Sequence, residues 1–211
     1  LCREGYKFEV IEINEIIELE DVEWFRVRRL LTSLRSDKLL MKPLIIEEFK
    51  KFIIDGHHRF KALKLLGVKE VPVFLARYGT DIEDVGGWVY IANDDIKSYL
   101  NELVRVIDEL KSLTKRGPDP LVLNIGRDQV KVSIDRVDLY IALKYVDIPL
   151  TKVPQGSRLT STVSLILPKL TPEDLYLLIS KCVKLPPRMT YHKTYLKHIT
   201  IPYPISKLLR C

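Results

Sequence analysis

KFIIDGHHRFKALKLLG, Lys51 to Gly67, joins an apolar strand to a helix through a single glycine. Phe52, Ile53 and Ile54 are the residues of a buried strand that ends at Asp55, Gly56 breaks it, and His57, His58 and Arg59 open the helix. Backbone N–H groups at a helix start have no intrahelical partner and point outward, so two imidazoles and a guanidinium placed there make a phosphate site. Gly56 permits a positive φ or close approach to a ligand, and Asp55 stands at a strand end, where ligands and metals are held. Taken singly, Asp55 reads as a helix cap, Gly56 as a turn residue and the histidines as solvated. Five such residues in a row between two apolar segments point instead to an anion site.

The chain has 211 residues, of which 46% are hydrophobic and 29% charged, enough for one large or two small α/β domains with a charged surface. No apolar run is long enough to span a bilayer, and LCREGYKFEV at the start has no signal core, so the expected location is the cytoplasm. Cys2, Cys182 and Cys211 are three, far apart and without CxxC spacing, which argues against a disulfide framework and a zinc site. A net charge of +6 favours anionic partners, yet the lysines are dispersed as in proteins of hot-living organisms, and no basic block suggests nucleic acid.

Working outward, residues 7–13, KFEVIEI, read as a half-buried strand with Phe8 and Val10 inward. Glu18, Glu20 and Asp21 precede a helix over Val22–Leu34 whose stripe is Trp24, Val27, Leu31 and Leu34, widened by Val22, Phe25 and Leu30. Asp21 is the natural cap; one of the three acids could be a general base opposite the phosphate site, and spacing alone does not choose among them. Strands over 41–46, 52–55 and 71–78 and a helix ending at Gly67 complete a β-α-β-β-α-β unit of about eighty residues. Beyond it, a linker leads to Trp88, followed by a long helix from Asn93 to Leu110 with Ile96, Leu100, Leu103, Val104, Ile107 and Leu110 on one face. A hairpin over Gly126, a short helix over 137–146, a loose stretch over 149–162 and a strand VSLIL follow. Thr171 caps, and Pro172 opens, a helix to Val183 with Leu175, Leu178, Ile179 and Cys182 inward. In PPRMTYH, residues 186–192, two prolines predict an extended segment that sets Arg188, Thr190 and His192 on one face.

At DGHHR the chain resembles the ParB/sulfiredoxin superfamily, and within it the free serine kinases of archaea and their relatives in siderophore pathways. The resemblance runs from Glu20 through MKP (Met41–Pro43), DGHHR (Asp55–Arg59) and Trp88 to PPRMTYH. It implies a ParB/sulfiredoxin-like α/β (α+β) domain over 1–80, a second α/β domain over 81–211, and an active site in a cleft between them. It also implies a cytoplasmic monomer that uses Mg2+ and moves a phosphoryl group from ATP, or ADP, to the hydroxyl of L-serine. The implied roles are a base at Glu20; Asp55 and His58 in catalysis and serine binding; Gly56, His57, His58 and Arg59 on the phosphates; Trp88 beside the substrate. Arg188, Thr190 and His192 are implied to hold phosphates or serine, and Asp55 is the candidate metal ligand.

The C-terminal segment departs from the Lys-Thr-Thr-x-His pattern of those kinases: Arg188 stands for Lys and Met189 for the first Thr. Sulfiredoxins carry a cysteine at the position of His57, and ParB proteins a GERR-like sequence followed by helices alone; this chain has neither. A ParB-like protein that binds CTP and DNA, and a kinase for another small hydroxylated metabolite, are the alternative readings.

Overall fold

The computed structural model of the chain describes residues 5–92, 96–157 and 161–209. Two units form, the first from Leu1–Asp84, Ile179–Arg188 and His192–Cys211, the second from Val85–Leu178 and Met189–Tyr191. The chain therefore returns to its first unit after residue 178, whereas the expected division gave all of 81–211 to the second. The return has a packing cause. Ile205 and Leu208 are buried in the same core as Leu40, Leu44 and Phe60, and Tyr203–Pro204 pairs with Leu39–Leu40.

In the first unit, β1 (Lys7–Glu12), α1 (Trp24–Asp37), β2 (Leu39–Leu40), β3 (Leu44–Glu47), β4 (Ile53–Asp55), α2 (His57–Leu65), β5 (Glu70–Ala76) and β6 (Ile82–Gly86) follow in order, β6 running on past Asp84. Four of these strands make a mixed sheet ordered β1-β5-β3-β4, in which β3 and β5 are parallel and the outer pairs antiparallel. The order is the expected one with the short β2 added and with β6 where a linker to Trp88 was expected. Val10 is exposed and Ile11 instead packs on the core, because the side chains of β1 alternate and the inward face is the one carrying Ile11.

Helix α1 begins later than expected, at Trp24, with Glu23 rather than Asp21 in the capping position. Only Val27 and Leu34 of its stripe are fully buried; Trp24 and Phe25 lie in solvent, 52% and 64% exposed. The expected phase holds at Val27 and Leu34; Trp24 is the first residue of the helix, at the end of that stripe, and Phe25 lies one residue off it, about 100° round the helix. Helix α2 buries Phe60, Ala62 and Leu63 and ends where Gly67 takes φ +77°.

The turn between β3 and β4 is built around a buried carboxylate. Glu47, with no solvent exposure, accepts the N–H groups of Phe49 at 3.0 Å and Lys50 at 2.6 Å. Those charge-assisted bonds brace the tight return that delivers β4, and hence Asp55, to the edge of the sheet.

The second unit contains β7 (Trp88–Ile91), α3 (Ile96–Leu113), β8 (Asp119–Ile125), β9 (Asp128–Ile134), α4 (Arg136–Ala142), β10 (Thr151–Pro154), β11 (Val163–Ile166) and α5 (Pro172–Ser180), whose last residues pass into the first unit. Its sheet is wholly antiparallel, ordered β10-β7-β11-β8-β9. The hairpin over Gly126 forms as the sequence predicts. Leu103, Ile107 and Leu110 of α3 face inward with Val106, while Val104 is exposed; the expected start at Asn93 and the side chain of Ile96 lie outside the described residues. Within the supposed loose stretch, Thr151–Pro154 is β10, paired with β7. Thr171 and Asp174 cap α5 reciprocally, Asp174 Oδ2 accepting the Thr171 N–H at 2.8 Å and Thr171 Oγ1 accepting the Asp174 N–H at 3.3 Å.

Cys182 is not a core residue. Helix α5 stops at Ser180, and Cys182 lies beyond it, exposed, at φ +54°. Cys2 and Cys211 lie outside the described residues. The last elements are β12 (Tyr191–Thr194), β13 (Tyr203–Pro204) and α6 (Ile205–Leu208).

Because Phe60 is completely buried where α2 meets the sheet, Phe60→Ala should cost about 3–5 kcal/mol in stability. Urea unfolding measures this, and a loss below about 1 kcal/mol would mean that α2 does not anchor the first unit as described.

Candidate active site

Within the first unit the end of β4 and the start of α2 stand beside two other segments, residues 18–23 and 184–188. Glu20 sits in an isolated bridge with Leu185: Leu185 donates its N–H to Leu19 O at 2.9 Å, and Asp21 donates to Leu185 O at 2.8 Å. This bridge buries Glu20 to 4% exposure. Its Oε2 accepts the Arg188 main-chain N–H at 2.9 Å and lies 3.7 Å from His57 Nδ1.

Arg188 takes φ +59°, a left-handed conformation. The segment is thus a turn at Pro187–Arg188, not the extended strand expected, and Arg188, Thr190 and His192 do not share a face. The contact to Glu20 is made by the backbone, which any residue except proline could supply. That lessens the weight of the change from Lys to Arg in the motif.

His57, at the first helical position of α2, is 7% exposed, and its Nε2 makes no hydrogen bond. Burial lowers its pKa, against the opposing pull of Glu20 and Asp55, so the ring is neutral at pH 7. A buried imidazole nitrogen without a partner beside unpaired helix N–H groups is what a site awaiting an anion or hydroxyl presents.

His58 has a different occupation. Its Nε2 accepts the Glu23 N–H at 3.1 Å, just ahead of α1, so the start of α1 is satisfied from α2. Acceptance at Nε2 requires the proton on Nδ1, hence a neutral ring, and burial lowers its pKa in the same direction. The role expected for His58 on serine or phosphate is therefore left to Nδ1.

Gly56 has φ +109°, and a Cβ there would lie 2.8 Å from both Arg59 Nη2 and Leu44 Cδ2. Only glycine fits. Arg59 Nη2 pairs with Asp55 Oδ2, while Arg59 Nε, buried, makes no hydrogen bond. Burial would raise the Asp55 pKa, but Arg59 and Lys197, with lesser help from His57, hold it below the ordinary carboxylate value.

His192 is 1% exposed, its Nε2 3.0 Å from Tyr78 Oη. Burial above all, then Lys197 and His57, push its pKa down to about 3. It is thus a neutral internal histidine, and its buried Nδ1 makes no hydrogen bond. Trp88 and Thr190 belong to the second unit. There Trp88 Nε1 donates to Met189 O at 2.8 Å, and the Lys152 ammonium lies 5.0 Å from the indole centroid. Met189 is buried, an apolar residue used for packing where the motif has a threonine.

Lys197 escaped the reading of the sequence. It lies in a short turn after β12 and carries no motif, and only the folded chain brings it to Asp55 and Glu20. A cavity of about 320 Å³ lined by Ile16, Ile17, Glu18, Ile179, Cys182, Val183 and Lys184 lies nearby, but none of the residues above lines it.

Among the described residues no group of three His, Cys, Asp or Glu side chains is placed to hold a metal. One oxygen of Asp55 is taken by Arg59, so these residues do not fit a resident metal ion.

The chain is 28% identical over 100 residues to a protein of Desulfurococcus mucosus named ATP-dependent L-serine kinase, a stretch that is 46% of this chain and 39% of that kinase. It is 30% identical over 102 residues, 48% of this chain and 50% of the relative, to a protein of Sulfolobus acidocaldarius named ParB-like protein. No protein-family profile matches. Each aligned stretch thus spans half or less of the curated relative.

Replacing Gly56 by alanine should disrupt the turn itself, lowering stability by about 1–3 kcal/mol, as calorimetry would show. Histidines 57, 58 and 192 all have folded pKa values below the unfolded value. Their contribution is complete above about pH 6.5 and is lost as pH falls, since the unfolded chain then binds more protons. Stability should drop between pH 6.5 and 4.5 by up to about 1.4 kcal/mol per pH unit for each fully buried ring, and His192→Gln should flatten the drop. Thermal unfolding across that range checks both statements.

Over its length the chain also superposes on a free serine kinase solved with AMP, with TM-score 0.67 at 16% identity, covering 97% of this chain and 95% of that one, and it shares that protein's fold.

Proposed function

We propose that the protein is a kinase that transfers a phosphoryl group from ATP to the hydroxyl of free L-serine, giving O-phospho-L-serine. The observation that carries this reading is the buried Glu20 carboxylate, oriented by the Arg188 N–H and set 3.7 Å from His57 at the start of α2. A general base next to an anion site is the minimum set for phosphoryl transfer to an alcohol. The similarity to the named L-serine kinase supports the choice of substrates.

In this reading Glu20 takes the serine hydroxyl proton as the oxygen attacks the γ-phosphorus, with ADP leaving, while the Arg188 N–H on Oε2 fixes the carboxylate. The N–H groups at the start of α2, the unpartnered Nε2 of His57 and the Arg59 guanidinium face the equatorial oxygens, where charge develops. His57 is neutral, so it donates or accepts without adding charge. Gly56 lets the backbone come close enough to do this. Mg2+ would come bound to the nucleotide and not to a protein cage, and would supply charge neutralisation at its phosphates. The reaction belongs to the cytoplasm.

The ParB-like relative keeps a second reading in view, nucleotide-dependent DNA binding. That reading gives the buried Glu20 no task.

Purified protein incubated with L-serine, Mg2+ and either ATP or ADP should yield O-phosphoserine with ATP, with ADP as the other product. Glu20→Gln should lower kcat by about 10²–10⁴-fold while leaving KM for serine within a few-fold. Absence of phosphoserine with either nucleotide would overturn the serine assignment. Salt-sensitive binding of duplex DNA in the presence of CTP would then favour the second reading.

A further inference from the structure

Trp24 and Phe25 stand in solvent at the start of α1 and take no part in the site around Glu20. The face they open is basic. Phe25, Arg28, Arg29, Thr32 and Arg35 fall at i, i+3, i+4, i+7 and i+10, and all five are exposed. Val27 and Leu34 lie on the opposite side, buried, and Leu30 and Leu31 pack on the core beside them. Cations dispersed along the chain are thereby collected: three arginines occupy one stripe that runs about 15 Å from Phe25 to Arg35.

Little on the helix neutralises that stripe. Arg26 pairs with Glu23, but the guanidinium groups of Arg28, Arg29 and Arg35 form no ion pair among the described residues. Asp37, the last residue, is the one acid of α1, and Ser33 donates to its Oδ2 at 2.6 Å. The two rings already attract cations. The Arg26 guanidinium lies 5.3 Å from the Phe25 centroid, and the Lys61 ammonium of α2 lies 5.7 Å from that of Trp24. Arginine forks fit phosphate oxygens and exposed rings fit the faces of bases, so charge and shape together complement a strand whose bases are unpaired. A duplex keeps its base faces stacked inside. An anionic bilayer takes apolar side chains along a whole helix face, whereas the aliphatic residues of α1 are turned to the core. A second copy would set one arginine stripe against another.

We propose that the solvent face of α1 binds single-stranded nucleic acid, with Arg28, Arg29 and Arg35 on the phosphates and Trp24 and Phe25 stacked on bases. Nothing in this set reads the sugar, so RNA and DNA strands bind alike. The surface needs neither CTP nor the residues around Glu20, and it is independent of the kinase reading.

Fluorescence anisotropy of labelled oligo(dT) and oligo(U) of about twenty nucleotides, with the full chain and without CTP, tests this. Both strands should bind, within about threefold of each other, and log affinity should fall against log salt with a slope of about −2, roughly 0.7 for each of three phosphates. Arg28→Gln/Arg29→Gln should weaken binding by about tenfold or more and shrink that slope by about 1.4. Phe25→Ala should weaken binding about fivefold with the slope unchanged, the mark of a stacking contact. Binding should quench tryptophan emission, and Trp24→Phe should abolish the quenching. Lys111→Gln/Lys131→Gln, on the exposed surface of the second unit, should bind as the wild type does. Thermal unfolding shows whether each variant is folded. Where the double arginine variant is not, Arg35→Gln, also at the surface, replaces it and should lose about threefold. No binding of either strand overturns the proposal, and so does wild-type affinity in the folded arginine variant. Tighter binding of the matching duplex, or of phosphatidylserine vesicles, than of the strand also overturns it.

Discussion

The Glu20 carboxylate, taken out of water and given one main-chain N–H from Arg188, is the interaction on which the site depends. A carboxylate loses several kcal/mol of hydration on burial unless it is hydrogen-bonded, so the chain around it must bring donors to it and hold them there. The bridge between residues 19–21 and Leu185 does so, and the left-handed turn at Arg188 aims the N–H. Segments more than 160 positions apart in the sequence are joined by this requirement. It also accounts for the return of residues 179–188 to the first unit.

Around that carboxylate the ring nitrogens divide their work. His58 gives its acceptor nitrogen to the start of α1 and so relates the two helices. His192 gives one nitrogen to Tyr78 and is buried behind the site. His57 keeps a buried Nε2 without a hydrogen bond, as His192 does at Nδ1, and of the two it is His57 that lies 3.7 Å from Glu20. All three are neutral for the same reason, since burial disfavours the charged ring more than the neighbouring carboxylates favour it. The positive charge of the site therefore comes from Arg59 and Lys197, both set against Asp55.

Stretches whose information is local were legible. The strand-glycine-helix turn at 53–57, the hairpin over Gly126 and the Thr171 cap follow from residues within a few positions of one another, and backbone sterics and capping act at that range. Helix phase was less legible. Trp24 and Phe25 look like part of an apolar stripe and are exposed, and Val104 exchanges places with Val106, because hydrophobicity states a preference for burial but not which face meets the core. Cys182 was misplaced for a related reason: periodicity continued past the point where the helix stops at Ser180.

By itself the sequence determined the α/β class and the need for glycine at position 56, since each is a property of adjacent residues. Only the tertiary structure decided which acid is buried, that Arg188 contributes its backbone rather than its guanidinium, that His192 is internal, and that Lys197 belongs with Asp55. Those are facts about desolvation and about contacts across the chain. Residue types carry no record of them until the backbone has closed around the site.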